Sequence, residues 1–376
     1  MHDAVSVTDV KYWVGLNKVS GIGPARFQRL LDRFGSGEDA WNAPAVELAR
    51  AGLDRKPLQN LLEARATLDL DAELGRLAAA GVHPVTLADP GYPRMLREVH
   101  LPPPVLYVKG DLLPADEWAV AVVGTRNAKV YGREITRYLA GDLARNGVTI
   151  VSGLARGIDS EAHRAALDAG GRTIAVLGCG VDIIYPYENS ALAQQIVKHG
   201  ALVSEYPLGT RPERGNFPPR NRIISGLALG TLVAQAGERS GALITAYYAL
   251  EQGREVFAVP GSILDRGSSG TNKLIQQGEA KLVFSAQDVM EELNLTMVSA
   301  HAEMRALAPT DSTEAALLKY LSADPVHVDE LGHASGFPIA QVTAALALME
   351  LKGLVRQAGG MHYVLAHDDR AAYTVQ

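Results

Sequence analysis

The stretch Arg214–Leu227, RGNFPPRNRIISGL, sets three arginines and two asparagines around one phenylalanine and a Pro-Pro pair, just ahead of an apolar run. Guanidinium groups fork toward phosphate oxygens, and a phenylalanine ring offers a face to a base. That mixture suits a single strand of nucleic acid better than a duplex. Phe217 is also compatible with a core aromatic plugging a loop; the stretch alone leaves both roles open. Other segments share the anion-binding character: Val123-Gly124-Thr125-Arg126, Ser152-Gly153-Leu154-Ala155-Arg156-Gly157 and Gly237-Glu238-Arg239-Ser240-Gly241. Glycine lets the backbone come close to a ligand and expose its N–H groups, and a following helix adds the positive end of its dipole. Arg126 and Arg156 put charge where an anion would sit. Together these loops point to phosphate.

Several other chemistries find no support. The segment GTRNAKVYG (124–132) lacks the second glycine of a dinucleotide fingerprint, and no G-x-x-x-x-G-K-[ST] occurs. Neither a nicotinamide cofactor nor P-loop ATP hydrolysis is expected, and no cofactor is assigned. Asp159 and His163 stand at i, i+4 and could form a metal pair or an acid–base dyad. With no third ligand at nearby spacing, they read instead as a helix-start carboxylate and a structural histidine. Asp182 reads as a loop-fixing carboxylate. The single cysteine, Cys179, excludes an intramolecular disulfide and a multi-cysteine zinc site, and reads as a small buried residue at a strand end. No serine is flanked as a nucleophile elbow.

The elements that must position these loops are legible from apolar patterning. Continuous apolar runs at 119–124, 148–153, 173–178, 201–205, 230–236, 256–261 and 281–284 alternate with helical segments. Runs without polar alternation indicate strands buried on both faces of a parallel sheet. Strand–helix repeats of this kind predict an α/β, extended Rossmann-like doubly wound domain. Its ligands bind beyond the carboxyl ends of the strands, where the glycine loops fall.

Three further regions flank it. Residues 1–66 are helical, with Gly21-Ile22-Gly23-Pro24 resembling a helix-hairpin-helix turn; a phosphate-binding hairpin and a plain helical turn both remain open there. The Rossmann-like domain is expected over 67–295, and its opening part, 67–114, is a connector with first strands: a helical pattern at 71–80, a short strand VHPVTL and the rigid strap Pro102-Pro103-Pro104. A linker spans 296–310, and 311–376 shows three helical patterns closed by a strand pair, a winged helix. That last region carries Lys319, Lys352, Arg356 and Arg370 against Asp311, Glu314, Asp324, Asp329, Glu330, Glu350, Asp368 and Asp369. Its recognition-helix candidate, 338–352, offers only Gln341 and Thr343 before Glu350 and Lys352. Duplex binding needs phosphate-neutralising cations. This region is therefore expected to touch protein or tune specificity, not to grip duplex by itself.

At 376 residues the chain is too long for one ordinary core. A net charge of -6 argues against a nucleic-acid coat protein but allows a local basic patch. No run of about 18 apolar residues occurs, and MHDAVSVTDV has neither the basic start nor the apolar core of a signal peptide. A cytoplasmic location without membrane contact is the expectation.

The motifs YPRML…PPPVLYVKG, VVGTR…YG, SGLARGIDSEAH, GCGVDIIYP, FPPRNRIISGL, ERSGALITAYYALEQGR and VPGS…G…N-x-L-I-x-x-G, in this order over about 85–290, resemble the DprA family (DNA-processing protein A, Smf-like) of natural transformation. The resemblance implies a homodimeric Rossmann-type core that binds single-stranded DNA, protects incoming DNA from nucleases and helps load the RecA recombinase, without being an enzyme. It further implies a pocket built from Gly124, Thr125, Arg126, Ser152, Gly153, Ser240 and Gly241, with Phe217, Arg220, Asn221 and Arg222 as the remaining wall and Arg214 at an often basic position. Weak duplex contact by the terminal modules stays open. The family's usual V-x-E-A reads Val233-Ala234-Gln235-Ala236 here, a lost carboxylate. The alternative class is a phosphoribohydrolase-like nucleotide-processing enzyme on a related fold, whose P-G-G-x-G-T-x-x-E loop is replaced here by ERSGALITAYYALE.

Overall fold

A computed structural model describes residues 7–295, 312–321, 325–351, 355–359 and 361–365. Contacts divide the chain at Thr296/Met297 into two units. The first is built on a nine-stranded sheet of β1 (His83–Thr86), β2 (Val105–Gly110), β3 (Ala119–Gly124), β4 (Thr149–Ser152), β5 (Thr173–Val176), β6 (Gly200–Ser204), β7 (Gly230–Gln235), β8 (Glu255–Ala258) and β9 (Lys281–Leu282). Their spatial order is β1-β2-β6-β5-β4-β3-β7-β8-β9. From β6 to β9 all neighbours are parallel, while β1–β2 and β2–β6 are antiparallel. From β3 the chain winds outward through β4, β5 and β6. It then returns to the other side of β3 for β7, β8 and β9. The switch point of this doubly wound sheet lies between β3 and β7, where such folds leave a crevice.

Strands β4, β5, β6 and β7 are buried along their whole length, as continuous apolar runs predict. On one face, α7 (Arg94–Arg97), α11 (Phe217–Gly226), α12 (Ala242–Glu251) and α13 (Ser269–Gln276) pack through Leu96, Ile223, Ile224, Leu243, Ala246 and Leu274. Helices α8 (Val130–Arg145), α9 (Ile158–Asp168) and α10 (Ser190–His199) pack against one another in sequence. The N-terminal helices α1 (Val7–Lys18), α2 (Pro24–Phe34), α3 (Gly37–Asn42), α4 (Ala45–Arg50), α5 (Arg55–Thr67) and α6 (Leu70–Ala79) bury Trp13, Leu16, Phe27 and Leu61 in one cluster with Tyr107, Leu177 and Ile196 of the sheet region. Helical region and sheet thus share a core across position 66. Helix α14 (Ala286–Glu292) closes the unit, begun by a Ser285/Asp288 capping box.

The hairpin at Gly21–Pro24 is held within this bundle. Gly21 adopts φ 91°, Arg26 pairs with Asp54 at 2.5 Å and Lys18 with Glu73 at 2.7 Å. Both cations the hairpin could offer a phosphate are already paired.

The second unit has a three-stranded sheet, β10 (Val326–His327), β11 (Val355–Gly359) and β12 (His362–Leu365), in the order β10-β12-β11. Helices α15 (Ser312–Leu317), α16 (Val328–Ser335) and α17 (Ile339–Leu351) close over Leu317, Leu331, Val342, Leu346 and Met349. This is the winged helix read from the pattern. The linker 296–310, the MHDAVS start, and Asp311, Asp324, Lys352, Asp368, Asp369 and Arg370 lie outside the described residues.

Candidate nucleic-acid interface

Helix α11 shows how local geometry sorts the RGNFPPRNRIISGL residues. Pro218 and Pro219 sit inside its first turn, where the missing N–H groups have no helical partner to lose and the fixed φ is already helical. Successive residues are about 100° apart around an α-helix. Arg220, Ile223 and Ile224 therefore share the core face, and all three are buried. Arg222 is rotated about 200° from Arg220 and points elsewhere. It pairs with Glu205, just beyond β6, at 2.5 Å.

A cleft of about 670 Å³ opens at the switch point between β3 and β7. Gly124, Thr125 and Arg126 line it from the end of β3, with Arg214, Phe217, Arg220 and Asn221 from the α11 region and Ser240 and Gly241 from the start of α12. The first loop is fixed on several sides. Thr125 N–H donates to the Gln235 carbonyl at 2.7 Å, and Thr125 O accepts from Ile158 N at 3.2 Å. The Gln235 side chain accepts from Lys129 N at 3.2 Å. Gly157, at φ 76°, makes this approach possible, since a Cβ there would lie 2.3 Å from the Thr125 carbonyl oxygen.

Phe217 is half-buried and holds the centre of the wall. The guanidinium carbons of Arg126 and Arg220 lie 5.6 and 5.7 Å from its ring centroid, within cation–π range. The exposed Arg126 and Arg214 have no ion-pair partner among the described residues. Arg220 is different. It is 4% exposed and donates to the carbonyls of Gly153, at 2.8 Å, and Val176. Burial lowers its pKa to about 10, opposed by the nearby Asp159 carboxylate. Asp159 is itself buried and accepts from Gly153 N at 3.2 Å and Ala155 N at 3.4 Å. Burial raises its carboxyl above the usual range, while Arg220 and those two N–H groups pull it back.

The remaining expected site residues stand off this cleft. Ser152 is wholly buried, its hydroxyl donating to the Val122 carbonyl at 2.6 Å. Arg222 lines a separate cavity with Glu205 and Tyr206. Gly153 and Arg156 border a smaller adjoining cavity, and Arg156 forks onto Glu188 with two bonds of 2.7 Å. Ser152 and Arg222 thus do not line the cleft: one ends a buried strand, and the other is carried away by the helix rotation. Sequence reasoning missed Tyr185. Its ring centroid lies 5.8 Å from that of Phe217 at 40°, and it lines both cavities. Nothing in GVDIIYP distinguishes it from a loop aromatic.

The groups read as structural have structural partners. His163 Nδ1 shares a 2.7 Å hydrogen bond with Thr173 Oγ1, and burial holds the ring neutral, with its pKa down at about 3. Asp182 accepts from Gly209 N at 3.0 Å. Cys179 is buried, with its Sγ 3.1 Å from the Ile183 carbonyl, and burial pushes the thiol up to about 11. In the winged helix, Gln341 donates to Thr313 Oγ1 at 3.1 Å and Thr343 to the Ile339 carbonyl at 2.9 Å, while Glu350 accepts from Gln357 N at 3.0 Å. These three polar groups of its recognition-helix candidate are engaged within that unit.

Fold and cleft define a doubly wound α/β protein with an arginine- and aromatic-lined crevice at its switch point, joined to a winged-helix unit. Residues 83–294 match the family described as DNA recombination-mediator protein A, and 301–361 match the DprA winged helix domain; the chain belongs to this family. It is 37% identical to Protein Smf of Synechocystis sp. over 94% of this chain and 98% of that one. Among solved structures, DNA processing protein A of Streptococcus pneumoniae is similar at 40% identity and a TM-score of 0.65, covering 75% of this chain and 97% of that one. The Helicobacter pylori protein, described for its single-stranded DNA binding mode, is similar at 33% identity and a TM-score of 0.51 over 57% and 97% of the two chains. Among the described residues, no helix is long and apolar enough to cross a membrane.

Proposed function

We propose that this chain is a non-enzymatic recombination mediator that binds single-stranded DNA in the switch-point cleft. The observation carrying the reading is Phe217 flanked by two guanidinium groups at 5.6 and 5.7 Å, with Arg126 and Arg214 unpaired at the rim. A ring for stacking and free cations for the backbone are what a sequence-tolerant single-strand site needs. Asp159 is the one carboxylate lining the cleft among the described residues, and it is engaged with two backbone N–H groups beside Arg220. That arrangement favours a binding site over a phosphoribohydrolase centre, which needs a carboxylate free to act on a sugar. Strand coverage shields the bound DNA from nucleases. Family membership supports the further steps, homodimer formation and delivery of the strand to the RecA recombinase in the cytoplasm. The exposed Ile263, Leu264 and Phe284 are apolar surface available to a second copy.

Titration of labelled oligo-dT, with a parallel incubation with AMP, tests the reading. The expected result is saturable oligonucleotide binding with no base release. Free adenine in the AMP incubation, or no binding of oligo-dT, overturns it.

A further inference from the structure

Beside the main cleft lies a smaller cavity of about 220 Å³. The two share a wall of Arg126, Tyr185, Phe217 and Arg220, and the smaller one runs on past Asn127 and Arg156. We propose that this cavity is a second base subsite with Tyr185 as its stacking face, so that two consecutive bases of one strand lodge in the two cavities. The inference rests on the single-strand reading above and deepens it by naming what the adjoining space takes.

Three observations carry it. The Tyr185 and Phe217 rings are tilted by 40° at 5.8 Å, so neither fully covers the other, and Tyr185 remains 48% exposed. A half-exposed ring beside unpaired cationic charge is the arrangement on which bases stack without sequence preference. The Tyr185 hydroxyl has no hydrogen-bond partner among the described residues, which leaves the phenol tip able to meet a base edge or a sugar. Arg126 stands on the wall common to both cavities, where the phosphate linking two consecutive nucleotides would pass. Arg156 borders the smaller cavity through an exposed fork with Glu188 (side chains 63% and 53% accessible). A second phosphate would compete with Glu188 for this solvent-exposed guanidinium.

The experiment places a single 2-aminopurine at each position of an otherwise all-thymidine hexanucleotide and reads its fluorescence on binding. In the wild type, stacking quenches the probe at two neighbouring positions. Tyr185→Ala is expected to weaken binding by about tenfold, within the range for loss of one base–aromatic stack. It leaves the salt dependence unchanged and abolishes quenching at one of the two positions. Tyr185→Trp restores both. If Tyr185→Ala binds and quenches as the wild type does, the second subsite does not exist. If both quenched positions are lost together, Tyr185 only props Phe217, and the proposal is equally overturned. A wild-type protein that binds no hexanucleotide sinks the single-strand reading itself, a result distinct from either.

Discussion

Arg220 lies in the middle of a motif that reads as phosphate-binding, yet its surroundings make it a structural ion. It is 4% exposed, donates to carbonyls at the ends of two neighbouring strands, and lies across Gly153 from Asp159. A Cβ at Gly153 would meet Arg220 at 2.7 Å and Asp159 at 2.8 Å. Replacing it by methionine keeps apolar bulk but removes two charge-assisted hydrogen bonds and leaves a buried carboxylate without its counter-charge. Leaving two buried carbonyls unpaired costs about 1–3 kcal/mol each, which lowers Tm by roughly 5–15 °C in a unit of this size. The sign of its pH dependence follows. Burial already raises the Asp159 carboxyl, and loss of Arg220 raises it further. The variant's folded state then holds a proton that its unfolded state releases, so its deficit widens as pH rises through that window and narrows toward acid. Arg126→Ala is the counterpart: its side chain is exposed and unpaired, so stability stays within about 0.5 kcal/mol. Oligo-dT binding weakens for all sequences, and the salt slope flattens by about one unit. Urea unfolding at several pH values and binding titrations at several salt concentrations read both variants. An Arg220→Met protein as stable as the wild type, with a salt slope flattened by about one unit, would refute the assignment and make Arg220 a phosphate ligand.

Two further outcomes follow from the same geometry. His163 has its pKa depressed from 6.5 to about 3. Between those values only the unfolded chain takes up its proton, so the stability it contributes is complete above 6.5 and falls with acidification. At pH 5 the loss is about 2 kcal/mol; His163→Gln should remove that part of the slope in urea unfolding, and an unchanged slope counts against a neutral buried ring. Gly157→Ala would set a Cβ 2.3 Å from the Thr125 carbonyl oxygen at a φ of 76°. It should cost more than about 1 kcal/mol and weaken oligo-dT binding by moving the loop that carries Arg126, whereas wild-type affinity and stability together would mean that this loop tolerates displacement.

Much of the molecule was legible in the sequence because the periods are strong. Continuous apolar runs marked the strands that are now β3 to β9, and the glycine, serine and arginine residues after them marked the loops at their carboxyl ends. Three helical patterns followed by a strand pair marked the winged helix of the second unit. The helical pattern of α1 to α6 was equally clear. Its packing was not, because periodicity shows that Trp13, Leu16 and Leu61 need a partner without showing that the partner is Tyr107 of β2 and Leu177 beyond β5.

The sequence by itself determined the doubly wound fold, the placing of anion-friendly loops at the strand ends, and the joining of arginine, asparagine and phenylalanine in Arg214–Leu227. Those features are local: an apolar period, a glycine spacing, a run of residue types. Only the tertiary structure decided which of these groups face the cleft. Rotation about α11 buries Arg220 against the strand ends and swings Arg222 onto Glu205, and depth in the sheet closes off Ser152. The chain crossing from β5 to β6 brings Tyr185 against Phe217, 32 residues away in sequence. Direction and proximity of side chains depend on helix phase and strand order, which one residue's type does not encode.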